Sequence, residues 1–248
     1  MKPSPTSRIV AIALTVVALA GGNLNVARAQ STNKSTWEGS AALGLTLTRG
    51  NSKTLLANAT VQGSDKWDKN ELLLSASVTY GENDNQKTTE AADGNAQYNR
   101  LFSERLYGGL KLDLFHDGIA DIRYRVTVAP LAGYYFIKST NVTLSGEVGP
   151  GFIYANQGGK TKSYLTARAA ERFEYKLSAT ARVWQTAEFL PQVDNVNNYL
   201  LNLEVGAEAG LTKKLSLRAV LQDYYNNRPA SGRLKNDLRL ITGVAYKF

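Results

Sequence analysis

Residues 236–248 read NDLRLITGVAYKF, and the apolar members alternate: Leu238, Leu240, Val244, Tyr246 and Phe248. A period of two puts these side chains on one face of a β-strand. A chain that closes on an aromatic inside such a strand is expected to hold that residue in a sheet. Combined with the secretion signal at the other end, this strand predicts a transmembrane β-barrel of a bacterial outer membrane.

The signal is read from three parts. Lys2 and Arg8 make a basic n-region, residues 9–20 are an apolar run, and Ala27-Arg28-Ala29 is a small-x-small cleavage site before Gln30. The run is too short for a membrane-spanning helix, which needs ~20 residues. The expected organisation is a signal peptide over 1–29, a short periplasmic segment over 30–35 and a barrel over 36–248. Without the signal, 26 bases face 21 acids, a net charge of +5, because Lys2, Arg8 and Arg28 leave and no acid does. The charges are interspersed, which argues against the basic stripe of a nucleic-acid binder. There is no cysteine, so no disulfide and no thiolate metal site.

Beyond the signal the chain has no long apolar stretch. Entry into a membrane therefore requires a closed sheet, because only helices and barrels satisfy their own backbone in lipid. Twelve period-two segments are predicted: 36–48, 53–64, 71–81, 90–101, 104–115, 122–137, 141–155, 163–175, 178–190, 198–211, 214–225 and 236–248. The tenth is the clearest. Tyr199, Leu201, Leu203, Val205, Ala207, Ala209 and Leu211 share one face, while Asn202, Glu204, Gly206, Glu208 and Gly210 share the other. No helical period competes, so the fold class is all-β, an antiparallel twelve-stranded barrel.

An even strand count puts both termini in the periplasm. Aromatics on the apolar face then sort into two girdles. Trp37, Tyr98, Tyr134, Phe136, Phe173, Tyr175, Tyr246 and Phe248 fall at the inner end. Tyr80, Tyr124, Phe152, Tyr154, Phe189, Tyr199 and Tyr225 fall at the outer end. Inner turns are expected to be tight, with 65–70 a long exception, and outer connections mostly long: 82–89, 116–121, 156–162, 191–197 and 226–235. The first outer loop, 49–52, is a short exception. Pro130 and Pro150 lie inside strands six and seven, where neither can donate to the ladder, and a bulge or bend is expected there.

The stretch Gly44-Leu45-Thr46-Leu47-Thr48-Arg49-Gly50-Asn51-Ser52 resembles the start of the salt-induced outer membrane proteins, the YdiY-like family of unknown function. The resemblance extends over most of the chain through the barrel pattern. Its sharpest motif is the Gly-Asn-Ser turn. The ending Gly243-x-x-Tyr246-x-Phe248 resembles the signal read by barrel-assembly machinery, with Ile241 in place of the usual polar residue. The resemblance implies outer-membrane lipids and that machinery as partners. It supplies no activity, cofactor or catalytic residue.

Alternation assigns charges to the lumen. The candidates lining it are Arg123, Arg125, Glu147, Arg168, Arg172, Glu174, Arg182, Glu204, Glu208 and Arg218, accompanied by Arg105, Lys111, Asp113, Glu188, Asp237 and Arg239. These groups either pair and fill the lumen or bias an open pore toward anions. Twelve strands lie between the filled eight-stranded barrel and the open porin, so a narrow or plugged lumen is expected. The functional expectation is a passive pore for small solutes or a structural, envelope-stress protein, monomeric and without enzymatic activity. Two alternatives remain. One is a lipid-acting hydrolase using His116, the only histidine, beside Asp117, although no serine is paired with it by pattern. The other is a surface interaction protein using its outer loops. Glu82, Asp84 and Glu90 are the loosest of metal candidates in what reads as a hydrophilic loop.

Overall fold

The computed structural model describes residues 37–49 and 53–248. The expected signal peptide and periplasmic segment lie outside the described residues, as does the Gly50-Asn51-Ser52 turn. Twelve strands form: β1 (Glu38–Arg49), β2 (Lys53–Trp67), β3 (Asn70–Asn83), β4 (Gln86–Leu101), β5 (Leu106–Asp117), β6 (Ile122–Lys138), β7 (Val142–Gln157), β8 (Lys160–Lys176), β9 (Ala181–Gln192), β10 (Asn195–Gly210), β11 (Leu215–Asn226) and β12 (Asn236–Lys247). Each pairs antiparallel with its chain neighbours, and β1 pairs with β12 to close the barrel.

The two faces of every strand differ as a bilayer demands. On β7 and β8 the outward Val148 and Leu165 are 61% and 60% exposed, whereas the inward Arg168 is 4% exposed. On β12, Leu238, Leu240, Val244 and Tyr246 point outward, as does Phe248 just beyond it, and Ala245 is buried within. Apolar side chains outside and charges inside reverse the distribution of a soluble protein. Only an apolar surrounding medium makes that arrangement favourable.

The girdles form ladders. At the distal end, opposite the end holding Trp37 and Phe248, Phe189 packs on Tyr199 at 5.5 Å between centroids and Tyr199 on Tyr225 at 5.7 Å. Tyr124 and Tyr154 stack at 5.6 Å beside them. At the proximal end Tyr134 meets Phe136 at 5.5 Å.

Connection lengths differ from expectation. The inner turn expected over 65–70 is only Asp68-Lys69, with Trp67 paired to Asn70 and Asp68 at φ 49°. The outer connections expected to be long are mostly short. β3 and β4 join through Asp84-Asn85, both at positive φ, and β7 and β8 through Gly158-Gly159 at φ 59° and 71°. Positive φ at both central residues suits a two-residue hairpin. Residues 193–194 and 118–121 complete the short set, and 227–235 alone is long among the described outer connections. The reason is that apolar alternation stops at the bilayer edge while backbone pairing continues into water. The strand tips are polar, so their sequence looks like that of a loop.

At the prolines, where a bulge or bend was expected, the ladder is interrupted without a register shift. Val128 pairs with Phe152 and Ala132 with Val148, so Pro130 and Pro150 face each other in unbroken register. Only the ladder bonds are missing there. A Cβ on Gly149 would collide with the Pro130 carbonyl, so the two backbones remain in contact. The irregularities of β6 lie instead between Ile122 and Tyr124 and between Tyr135 and Ile137.

Candidate functional site

The inward side chains build three layers, the proximal one along the β8–β12 wall and the other two across the lumen. The proximal layer centres on Glu208, whose side chain has no solvent exposure. Its carboxylate accepts from Arg218 at 2.8 Å, Arg182 at 3.1 Å, Ser216 at 2.9 Å and Lys247 at 2.7 Å. Arg182 also reaches Glu174 at 3.3 Å, and Arg218 donates to Ser40. Next to this layer Glu204 accepts from Trp184 at 2.7 Å and Gln222 at 2.8 Å. A small cavity of about 60 Å³ remains among Asn58, Gln62, Trp184, Glu204, Arg218 and Gln222, large enough to hold water.

The middle layer is a chain of ion pairs. Glu188 accepts from Arg168 at 2.6 Å, Lys111 at 2.8 Å and Asn202 at 3.0 Å. Arg168 continues to Glu147 at 2.9 Å, and Glu147 also accepts from Gln97 at 2.6 Å and the Tyr107 hydroxyl at 2.9 Å. Lys111 meets Asp113 at 3.2 Å. Lys111 and Glu188 stand on β5 and β9, four places apart around the ring, so their bond crosses the lumen.

The distal layer closes the lumen. Phe115 on β5 and Tyr224 on β11 come from strands six places apart in a ring of twelve, yet their centroids are 5.4 Å apart. Arg239 on β12 pairs with Asp117 on β5, five places away, and lies over the Tyr224 ring at 5.0 Å. Arg125 lies over Phe115 at 5.5 Å. Above them the 227–235 loop leans across the mouth onto the β7–β8 hairpin. Gln157 donates to the Arg228 carbonyl at 2.9 Å and accepts from Asn226 at 3.2 Å, and Ala230 is buried.

Of the ten lumen candidates, Arg125, Glu147, Arg168, Glu174, Arg182, Glu204, Glu208 and Arg218 take part in these layers. Arg172 sits on the inward phase near the proximal mouth, exposed and without an ion pair among the described residues. Arg123 is a correction: it lies at the register shift between β5 and β6, where alternation slips, and is exposed at the rim while Ile122 takes the buried position. Arg105 is likewise exposed, in the β4–β5 turn. The sequence reading missed Phe115, Tyr224, Tyr107 and Trp184 as lumen residues. Each falls on the polar phase of its strand, Phe115 between Asp113 and Asp117, Trp184 between Arg182 and Thr186. That phase was the available signal.

His116 and Asp117 occupy adjacent positions on opposite faces. His116 Nδ1 is 2.9 Å from the Arg123 carbonyl oxygen, while Asp117 points inward to Arg239. The two do not form a catalytic pair. Glu82 accepts from Tyr80 and Glu90 is bound by Lys87. Among the described residues no group of three metal-ligating side chains converges.

Residues 41–248 match the family described as "Protein of unknown function, DUF481". The chain belongs to this family. The match agrees with the YdiY-like resemblance of the β1 region. No curated protein sequence matches this DUF481 protein. Among solved structures it is similar to the NanC porin, with 7% identity, a TM-score of 0.52, and coverage of 85% of this chain and 100% of that one. An outer membrane channel from Pseudomonas putida F1 follows at 10% identity and TM-score 0.48, covering 92% and 100%. The KdgM porin, solved in complex with disordered oligogalacturonate, has 11% identity and TM-score 0.47, covering 86% and 99%. At these identities the likeness to NanC shows the fold, a porin-like closed barrel.

Proposed function

We propose that this DUF481 protein is a bacterial outer-membrane barrel that rests occluded, a narrow pore for small solutes closed by its own wall side chains. The contact of Phe115 with Tyr224 from opposite walls carries this reading. A wide diffusion porin keeps its walls apart. Here an ion pair from β5 to β9 spans the lumen at mid-depth, rings and an ion pair span it at the distal end, and the 227–235 loop covers the mouth. The apolar band and its girdles suit outer-membrane lipids as the surrounding partner. Gly243 and Tyr246 on β12, with Phe248 just after it, suit recognition by barrel-assembly machinery. A monomer suffices to close the barrel.

Liposome swelling tests the reading. Vesicles carrying the mature protein should swell in a pentose no faster than empty vesicles, and variants lacking the distal rings should swell faster. Rapid swelling with the unaltered protein would refute occlusion.

A further inference from the structure

Arg125 stands apart from the other arginines of the lumen layers. Arg168 binds Glu188 and Glu147, Arg182 binds Glu174 and Glu208, Arg218 binds Glu208, and Arg239 binds Asp117. Arg125 has no carboxylate partner and makes no hydrogen bond among the described residues; its Nε is sealed from solvent with no acceptor. The Phe115 ring lies 5.5 Å from it, and Asp117 and Tyr164 act on it without a hydrogen bond. A guanidinium presents five donors in a planar fork. Leaving its buried Nε–H without an acceptor is costly.

Asp117, whose field reaches Arg125, makes no hydrogen bond to it. One oxygen of Asp117 is held by Arg239, and the other accepts from the backbone N–H groups of Ile119 at 3.0 Å and Ala120 at 2.8 Å. Tyr164 lies within electrostatic reach of Arg125, and its hydroxyl also makes no hydrogen bond among the described residues. The ring of Tyr164 packs on Ile153, Ala155, Leu190 and Leu200, an apolar cluster inside the otherwise polar lumen.

We propose that Arg125 and Tyr164 form a binding site for a small carboxylate with a short aliphatic tail. The fork takes the carboxylate in two parallel bonds, the Tyr164 hydroxyl donates a third, and the tail lies on the apolar cluster. The inference deepens the occluded-pore reading and rests on it in placing the site within the closed lumen.

The test uses sodium butyrate as probe. The thermal midpoint of the refolded protein in micelles is followed as butyrate replaces chloride at constant ionic strength. The expected result is a saturable rise, weakened at least tenfold in apparent affinity by Arg125→Gln and several-fold by Tyr164→Phe. The Tyr164→Phe variant keeps the test decisive should Arg125→Gln fold poorly. No saturable rise, or a rise untouched by both substitutions, would overturn the site. So would an equal saturable response when nitrate replaces chloride in the same way, which would remove the carboxylate preference. The readout needs no conduction. Butyrate binding by a freely conducting barrel would refute occlusion alone, and an occluded barrel indifferent to butyrate would refute the site alone.

Discussion

Phe115 and Tyr224 meet at 5.4 Å although their strands face each other across the barrel. Wall side chains can make such a contact only by filling the space between. The ring pair is bracketed by guanidinium groups, Arg125 over Phe115 and Arg239 over Tyr224 at 5.0 Å. Cation–π attraction holds charged and aromatic groups in one layer where water is scarce. Permeability therefore depends on whether these side chains move.

Glu208 holds three cations at once, Arg182, Arg218 and Lys247. Removing its carboxylate leaves positive groups crowded together without a counter-charge. Glu208→Ala should cost about 3–5 kcal/mol of stability, measured by urea unfolding of the lipid-reconstituted protein. An effect below about 1 kcal/mol would show that water already screens this layer.

The outward face predicts a contrast. Val148 is exposed in the apolar band, and Lys160 lies at the β7–β8 hairpin tip beyond it. Val148→Arg should destabilise the membrane-inserted barrel by about 2–4 kcal/mol, the cost of a lipid-facing arginine near mid-depth. Lys160→Glu should shift it by less than about 0.5 kcal/mol. Equal effects would contradict the assignment of faces.

Closure rests on a short seam. β1 and β12 register from Ser40↔Lys247 to Leu43↔Val244, far less than β11 and β12 share. Gly44 and Gly243 continue the approach beyond Leu43, because a Cβ on either would strike the carbonyl of Thr242 or Leu43. Ala42→Cys combined with Ala245→Cys should form a disulfide on oxidation, since the two are register partners and the chain has no other cysteine. Gel mobility of the folded and heat-denatured forms reads the result. Absence of the cross-link in folded protein would contradict the seam. Gly243→Val should lower the yield of folded barrel by at least half.

All twelve strands and both girdles were legible, because the strand period and the bilayer's two interfaces act directly on residue choice. Strand ends were not: the tips around Asp84-Asn85 and Gly158-Gly159 are polar on both faces, so pairing there leaves no pattern. Lumen membership was legible wherever register held. It failed at Arg123, where one shifted residue reverses the faces. Which lumen groups touch was beyond the sequence. Arg239 and Asp117 are 122 residues apart and meet only because the closed ring sets β12 across from β5. The filling role of Phe115, Tyr224 and Trp184 was hidden because the expected place for an aromatic was a girdle.

Single-channel recording in a planar bilayer, comparing the unaltered mature protein with Phe115→Ala/Tyr224→Ala, tests occlusion most directly. The unaltered barrel should be silent or show only rare, small openings, and the double variant should show discrete steps at least several-fold larger. Large, sustained openings of the unaltered protein, unchanged by removing both rings, would contradict a lumen closed by its own side chains.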